Sequence, residues 1–301
     1  MTEKTEVESV HKSVLLKETI DGLNLVNGST VIDATFGGGG HSFEICRRYK
    51  NIKIIALDQD KAALERAKKK FKDIDAEIIY INANFKDLNE SFGKAKVDGI
   101  IFDLGLSSDQ LENSGRGFTF TKDEPLLMTM KENPEESDLT ARDIVNTWGE
   151  KNLADIIYGY GEERFSRRIA KAIVDSRQKV KINTTKELVE IIEKAVPGSY
   201  KRGKIHFATK TFQALRIAVN DELGVLEIGL LKGLEILKTG GRMSVISFHS
   251  LEDRVVKRFF KLKKDEGEIR LINKKPIIAS KEELVLNKRS RSAKLRILEK
   301  I

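Results

Sequence analysis

The sequence predicts an α/β protein in which an open sheet of alternating strands and helices is interrupted by an inserted all-helical domain. Three observations point there. A β-branched run, Thr30-Val31-Ile32-Asp33-Ala34-Thr35-Phe36, feeds a loop of four glycines, Gly37 to Gly40. A second apolar run, Ile52 to Leu57, ends in Asp58, 18 residues after Gly40, the spacing of a βαβ unit whose second strand closes on a carboxylate suited to ribose hydroxyls. Strand and helix then alternate as far as Asp103, and a clean strand pattern returns only at Arg242.

In chain order, the first strand leads through the glycine loop into a helix, and the second strand, to Asp58, leads into a helical stretch from Lys61 to Phe71. Strands follow near Ile78 to Ile81 and at Val97 to Asp103, the latter running into Leu104-Gly105. From about 109 to 206 the pattern is helical, with breakers at Gly115, Gly117, Pro125, Pro134 and Pro197-Gly198 and a strongly polar helix from Glu162 to Arg177. Such an interruption reads as an insertion, giving residues 1–108 and 207–301 to the sheet domain and 109–206 to the insert. A long helical stretch from Thr209 to Leu237, broken near Gly224, leads to the strand Arg242 to Phe248.

A chain of 301 residues has room for two domains or one large one. The single cysteine, Cys46, excludes an intramolecular disulfide, and with four scattered histidines it leaves no zinc-ligand cluster. The N-terminus mixes Glu3, Lys4, Glu6 and Glu8 without an apolar segment, so no signal peptide is expected. No apolar stretch approaches the roughly 20 residues of a membrane span, and a soluble, cytoplasmic protein without a membrane partner is expected. The net charge of +8 is uneven: from Leu251 onward there are 16 Lys and Arg against 8 Asp and Glu, and the other 250 residues hold 38 of each. A single lysine run is usually a solvated face, but concentrating the whole excess in the last sixth of the chain points to a polyanion.

Open α/β sheets bind ligands at the carboxyl ends of their strands, where Asp33, Asp58, Asp103 and His249 fall. Two cofactor classes compete for the glycine loop. Dinucleotide enzymes place pyrophosphate on the helix N-terminus and want a third small residue, here Ser42. Asp33, four residues before Gly37, would repel pyrophosphate and suits an amino group. That favours S-adenosylmethionine, with an ordinary structural loop as the remaining alternative. Gly37 and Gly39 fit the loop pattern, since glycine accepts positive φ and lets a ligand near the backbone. Asp103, at the tip of the fourth strand, would face the transferable methyl; a turn or capping aspartate is the plainer alternative. For His249 a helix-entry role competes, with Ser250 as N-cap and Glu252 and Asp253 in the first turn.

The chain resembles the bacterial ribosomal RNA small-subunit methyltransferase H family. The resemblance runs from His11 to the C-terminus on specific stretches: DATFGGGGHS from Asp33, VDGIIFDLGLSSDQL from Val97, RGFTF from Arg116, YGEERFSRRIAKAI from Tyr160, TFQALRIAVNDEL from Thr211, VISFHSLEDRVVKRFF from Val245 and NKRSRSAKLR from Asn287. It implies a Rossmann-like S-adenosylmethionine-dependent methyltransferase sheet with an inserted helical domain that meets the substrate. The implied reaction is methylation of the exocyclic amine, N4, of one cytidine in the decoding (P-site) region of 16S rRNA, within the small ribosomal subunit. Monomer and homodimer both stay open. Carried over by position, the cofactor contacts fall on Gly39, Gly40, His41, Asp58, Phe85, Asp103 and Gln110, beside the Asp33 and Gly37 already singled out. Phe85 would lie near the adenine, with ordinary core as its alternative.

Three departures from the family pattern stand out. Leu127 and Thr129 replace an acid and a base, a loss less damaging together than singly if the two formed a pair. Ser13 stands for a proline. Lys210 stands for an arginine and cannot make a bidentate contact. Candidate RNA contacts are Lys288, Arg289, Arg291, Lys294 and Arg296 in the basic C-terminal segment, and Arg164, Arg167, Arg168 and Lys171 in the insert. The expected mechanism is direct attack by the amine on the methyl, with Asp103 holding the amine and no covalent enzyme intermediate, because Cys46 belongs to the first helix after the loop. Two rivals remain: a small-molecule methyltransferase, which has no use for the basic segment, and a ribosome-associated S-adenosylmethionine-binding factor that is non-catalytic or of altered specificity. Keeping Asp33, Asp58 and Asp103 argues against a non-catalytic factor.

Overall fold

The computed structural model describes residues 12–88, 96–107, 110–111, 113–132 and 134–301. The N-terminal stretch with Glu3, Lys4, Glu6 and Glu8, and His11 where the resemblance begins, lie outside the described residues. The chain forms two compact units, Met1–Ser107 with Leu223–Ile301, and Ser108–Glu222.

The first unit opens with α1 (Leu16–Leu23), then alternates β1 (Thr30–Asp33), α2 (Gly40–Arg48), β2 (Lys53–Asp58), α3 (Lys61–Lys70), β3 (Glu77–Asn82) and β4 (Val97–Asp103). The seven strands of its sheet lie in the order β3-β2-β1-β4-β5-β7-β6, with β5 at Leu237–Ser247, β6 at Ile269–Leu271 and β7 at Lys294–Lys300. β1 to β5 pair in parallel, and β7 lies antiparallel to both β5 and β6. The order reverses between β1 and β4, which is where a ligand crevice forms in a sheet of this kind.

Burial explains why these strands read as continuous apolar runs. Val31, Ile32, Ile54, Leu57, Ile100, Ile101 and Phe102 are all fully buried, as expected for strands covered on both faces. One cover is the helix Glu222–Ile236, which follows the helices of the insert described below. Its Gly229 and Gly233 let it lie close to the sheet: a Cβ at Gly229 would come within 2.5 Å of the Phe85 ring, and one at Gly233 within 2.9 Å of the Met243 methyl. Each strand that buries apolar side chains on both faces removes them from water at about 25 cal/mol per Å².

The second unit, Ser108–Glu222, is helical: α4 (Ala141–Thr147), α5 (Glu150–Gly159), α6 (Ser166–Arg177), α7 (Thr185–Ala195), α8 (Gly198–Lys201) and α9 (Thr209–Asn220). Thr140 with Asp143, and Thr184 with Glu187, form reciprocal capping boxes that fix the starts of α4 and α7. Ile144, Val145, Leu153, Ile157, Ile169, Ile173, Leu188, Ile192 and Leu215 are fully buried and recur at helical spacing. The unit runs on through α9 to Glu222, past the sequence boundary at 206.

The long helical stretch breaks at Asp221, where φ is 45°, and not at Gly224, which lies inside α10 (Glu222–Ile236). A short polar side chain that can bond locally makes Asp one of the few residues to visit this region. The polar helix of the insert starts at Ser166 and not at Glu162, because Glu162 takes φ 50° and interrupts the helical path. β5 begins at Leu237, five residues before the sequence pattern, pairing with Val97 before a register shift. α11 (Ser250–Asp265) is capped by His249 and not by Ser250. α12 (Lys281–Leu286) completes the helices. No helix among the described residues is long and apolar enough to cross a membrane.

Candidate active site

β1, β2 and β4 each end in a carboxylate, and the three side chains are held by different means. Asp58 is oriented by its neighbours: one oxygen accepts the Gly37 N–H at 2.7 Å and the other the Asp60 N–H at 2.8 Å. Each oxygen keeps a lone pair, so the carboxylate can still accept from two hydroxyls. Burial raises its pKa to about 6.

Asp33 is 2 % exposed. Ser42, in the first turn of α2, donates its hydroxyl to Oδ2 at 2.7 Å, while Oδ1 is buried with no hydrogen-bond partner. Its pKa rises to about 6, chiefly through burial. Asp103 is placed by its backbone, whose N–H donates to the Thr35 hydroxyl at 2.6 Å. Its Oδ1 is likewise buried and unpartnered. Burial first, then the like charges of Asp33 and Glu252, raise its pKa to about 7, against the opposing charge of Arg289. His41 lies beside it, with Nε2 donating to the Val14 carbonyl at 3.1 Å and Nδ1 3.7 Å from Asp103 Oδ2.

Two unpartnered carboxylate oxygens in low dielectric are costly, and ligand N–H donors would satisfy them. An ammonium-bearing, ribose-bearing cofactor fits the set: Asp33 for the ammonium, Asp58 for the sugar, with Asp103 Oδ1 left for a further donor. The glycine loop divides its work. Gly37 takes φ +50°, and a Cβ there would meet Ser107 and the Thr35 carbonyl only at ordinary contact distance, 3.9 and 4.0 Å, so its backbone conformation and not crowding favours glycine. Gly39, at φ +66°, is held small by the protein itself, since a Cβ there would lie 2.6 Å from the Phe71 ring and 2.7 Å from that of Phe36. Gly40 is held small by Ser13, whose hydroxyl would lie 2.0 Å from such a Cβ.

Phe85 packs edge-on to Phe102 at 5.4 Å and against the same core, only partly buried. Gln110 belongs to the second unit, where its carbonyl accepts the Ser114 hydroxyl at 2.6 Å; Ser108 and Asp109 of the same motif lie outside the described residues. His249 is a cap: its Nδ1 accepts the Glu252 N–H at 3.3 Å, while Glu252 Oε2 accepts the N–H groups of Phe248 and His249. Cys46 sits half-buried in α2, and burial pushes its thiol up to about 11, so it is a poor nucleophile.

The basic C-terminal segment is not a tail. Lys288, Arg289 and Arg291 lie on the 3-10 turn Lys288–Ser292, and Lys294 and Arg296 lie on β7, inside the sheet. Both of the latter pair with Asp253, at 3.1 and 2.7 Å. Arg296 is thereby engaged in holding β7 to α11 and unsuited to a phosphate contact. In the insert, Lys171 pairs with Asp175 at 3.1 Å. Arg164, Arg167 and Arg168 are exposed.

The departures at Leu127, Thr129 and Lys210 are accommodated within the second unit. The segment around Leu127 and Thr129 is fixed by its backbone: Leu126 N–H to the Asn183 carbonyl, Met128 N–H to that of Arg116, and Met130 N–H to the Asn220 side chain. Lys210 donates to the Glu162 carbonyl at 2.8 Å, a single contact that an ammonium makes as well as a guanidinium. Sequence reasoning missed Thr35 and Glu252 as neighbours of Asp103. It also weighed Ser42 only as a small packing residue; a hydroxyl nine residues after a strand-end aspartate, in the next helix, was the available signal.

Among solved structures, an rRNA methylase from Streptococcus thermophilus is 12% identical, with 96% of this chain and 98% of that one covered at a TM-score of 0.44. A protein from Streptococcus mutans solved in complex with SAH is 14% identical, with 96% and 99% covered at 0.45. The assignment rests on the sequence family and on the sheet order. The description of the MraW methylase family matches residues 8–301, so the chain belongs to that family and is a methyltransferase that takes S-adenosylmethionine as its cofactor.

Proposed function

We propose that the protein methylates the exocyclic amine, N4, of one cytidine in the decoding region of 16S rRNA, on the small ribosomal subunit. The observation that carries the reading is Asp103, a part-buried carboxylate at the tip of β4 whose one buried oxygen is unpartnered. S-adenosylmethionine supplies an electrophilic methyl group. Asp33 would hold its ammonium, Asp58 its ribose hydroxyls, and Gly37, Gly39, Gly40 and His41 the loop around it, with Phe85 toward the adenine.

A cytosine amine is a poor nucleophile because its lone pair is delocalised into the ring. Asp103 Oδ1 can accept one amine N–H, favour pyramidal nitrogen and stabilise the positive charge that develops there. Alignment supplies much of the rest, since well-oriented reactants gain about 7 to 11 kcal/mol. The target base would leave its stack to reach the site. With its thiol raised to about 11, Cys46 plays no covalent part. Incubating the protein with labelled methyl donor and either naked 16S rRNA or assembled small subunits, then mapping the labelled nucleoside, tests the reading. Label at a cytidine N4 supports it; label at another atom or none on rRNA overturns it.

A further inference from the structure

The insert carries a cluster of cations and rings that the methyl-transfer site does not use. Arg164 lies over two aromatic rings at once, its guanidinium 4.7 Å from the centre of Phe165 and 5.0 Å from that of Tyr200. The two rings meet edge to face at 5.0 Å, and Arg168 approaches Phe165 from the next turn at 5.8 Å. Beneath them Glu163 is fully buried and accepts the Tyr200 hydroxyl on one oxygen and the Phe165 N–H on the other. Burial and this carboxylate push the Tyr200 hydroxyl up to about 12. The phenol therefore stays a donor, and the ring is pinned from below.

The charge on this surface is not neutralised. No carboxylate pairs with Arg164, Arg167 or Arg168 among the described residues, whereas Lys171, on the same helix, is paired with Asp175. Arg167 and Arg168 also sit in the first turn of α6, where the helix dipole disfavours cations. A phosphate would relieve both penalties, and planar guanidinium groups suit it. Flat π-faces beside unpaired cations match one ligand chemistry in both halves, an unstacked base and its flanking phosphates.

We propose that Arg164, Phe165 and Tyr200, with Arg167 and Arg168, form a stacking platform for single-stranded RNA, ordered by the buried Glu163. This rests on the reading that RNA is the substrate. It goes further by giving the insert one base-stacking position and by assigning Lys171 no part in it.

The test uses the full chain and a fluorescein-labelled single-stranded RNA of the decoding region, titrated over a salt series. Arg164→Ala and Tyr200→Leu are expected to weaken binding about 5- to 150-fold, the range for one lost base stack. Arg164→Ala should also lower the log-log salt slope by about 0.7. Tyr200→Phe, which keeps the face, should retain most of the affinity, and Lys171→Ala all of it. Far-UV circular dichroism and thermal unfolding of each full-length variant report that the helical insert is folded. Wild-type affinity and slope in folded Arg164→Ala and Tyr200→Leu overturn the platform, even where wild-type protein labels the cytidine. Loss of binding in these two variants supports it, even where no cytidine N4 is labelled, an outcome that sinks only the proposed reaction.

Discussion

His41 Nδ1 stands 3.7 Å from Asp103 Oδ2 while its Nε2 donates to the Val14 carbonyl at 3.1 Å. A carbonyl only accepts, so Nε2 carries a hydrogen and the other nitrogen is turned to the carboxyl group. The residue following the glycines thus reaches the end of β4, so that the loop and the Asp103 carboxyl meet at one side chain. Whatever changes the protonation of Asp103 is felt at both.

Proton linkage gives the first prediction. With Asp33 raised to about 6 and Asp103 to about 7, the empty site is partly protonated near pH 6.5. An ammonium-bearing ligand favours the ionised carboxylates and lowers both values, so binding of S-adenosylhomocysteine should release protons and weaken as pH falls below about 6. Calorimetry in buffers of differing ionisation enthalpy checks this; proton uptake would contradict it.

Stability of the cofactor-free protein should follow the same groups with the opposite sign from ordinary acid denaturation. A carboxyl whose folded pKa lies above its unfolded value stabilises the fold fully below the unfolded value, near 4, and the contribution is lost as pH rises through the folded one. For Asp33, Asp58 and Asp103 the loss falls between about pH 4 and 7. Thermal unfolding of Asp103→Asn should therefore show a flatter profile than wild type over that window, and an identical profile would remove Asp103 as the source.

Asp103→Ala should lower the single-turnover rate more than it weakens donor affinity, because a contact to developing charge strengthens in the transition state. Rapid-quench measurement at saturating donor separates the two. A normal rate with a large affinity loss would reduce Asp103 to a cofactor ligand.

For Asp58→Ala, S-adenosylmethionine binding should weaken by about 1.5 to 3 kcal/mol, roughly 10- to 150-fold, as the ribose loses a charged acceptor. Titration calorimetry on both proteins decides, and an unchanged dissociation constant would take Asp58 out of the site.

Asp253→Ala should destabilise the protein by about 1.5 to 3 kcal/mol, because Arg296, only 11% exposed at its side chain, loses its charged hydrogen bond. Denaturant unfolding measures it. Stability equal to wild type would mean that Arg296 finds another partner and that β7 does not depend on the pair.

Much of this was legible because strands covered on both faces advertise themselves as apolar runs, which here end at the carboxylates Asp33, Asp58 and Asp103. Val97 to Asp103 was read to the residue for that reason. β7 was not, because Lys294 and Arg296 alternate with Leu295 and Ile297, and the charges outweighed the period-2 pattern of a half-exposed strand. Asp221 was missed because glycine is the usual chain breaker, and the nearby Gly224 drew the assignment. The reason for Gly39 could be read only in part locally, since beside Phe36 the Phe71 ring that forbids a side chain there comes from 32 residues further on.

β4 and β5 are neighbours, with Phe102 opposite Val245, yet the whole second unit lies between them in the chain. Closing so long a loop before its contacts form is entropically unfavourable and slow. If the helical insert, rich in local contacts, condenses first, it replaces most of that loop with a compact body and brings the search for the β4 and β5 pairing within reach. Refolding speed of the sheet would then be governed by a region that contributes no strand to it, and substitutions that loosen the capping boxes at Thr140 and Thr184 would delay assembly of the methyl-transfer crevice without touching it.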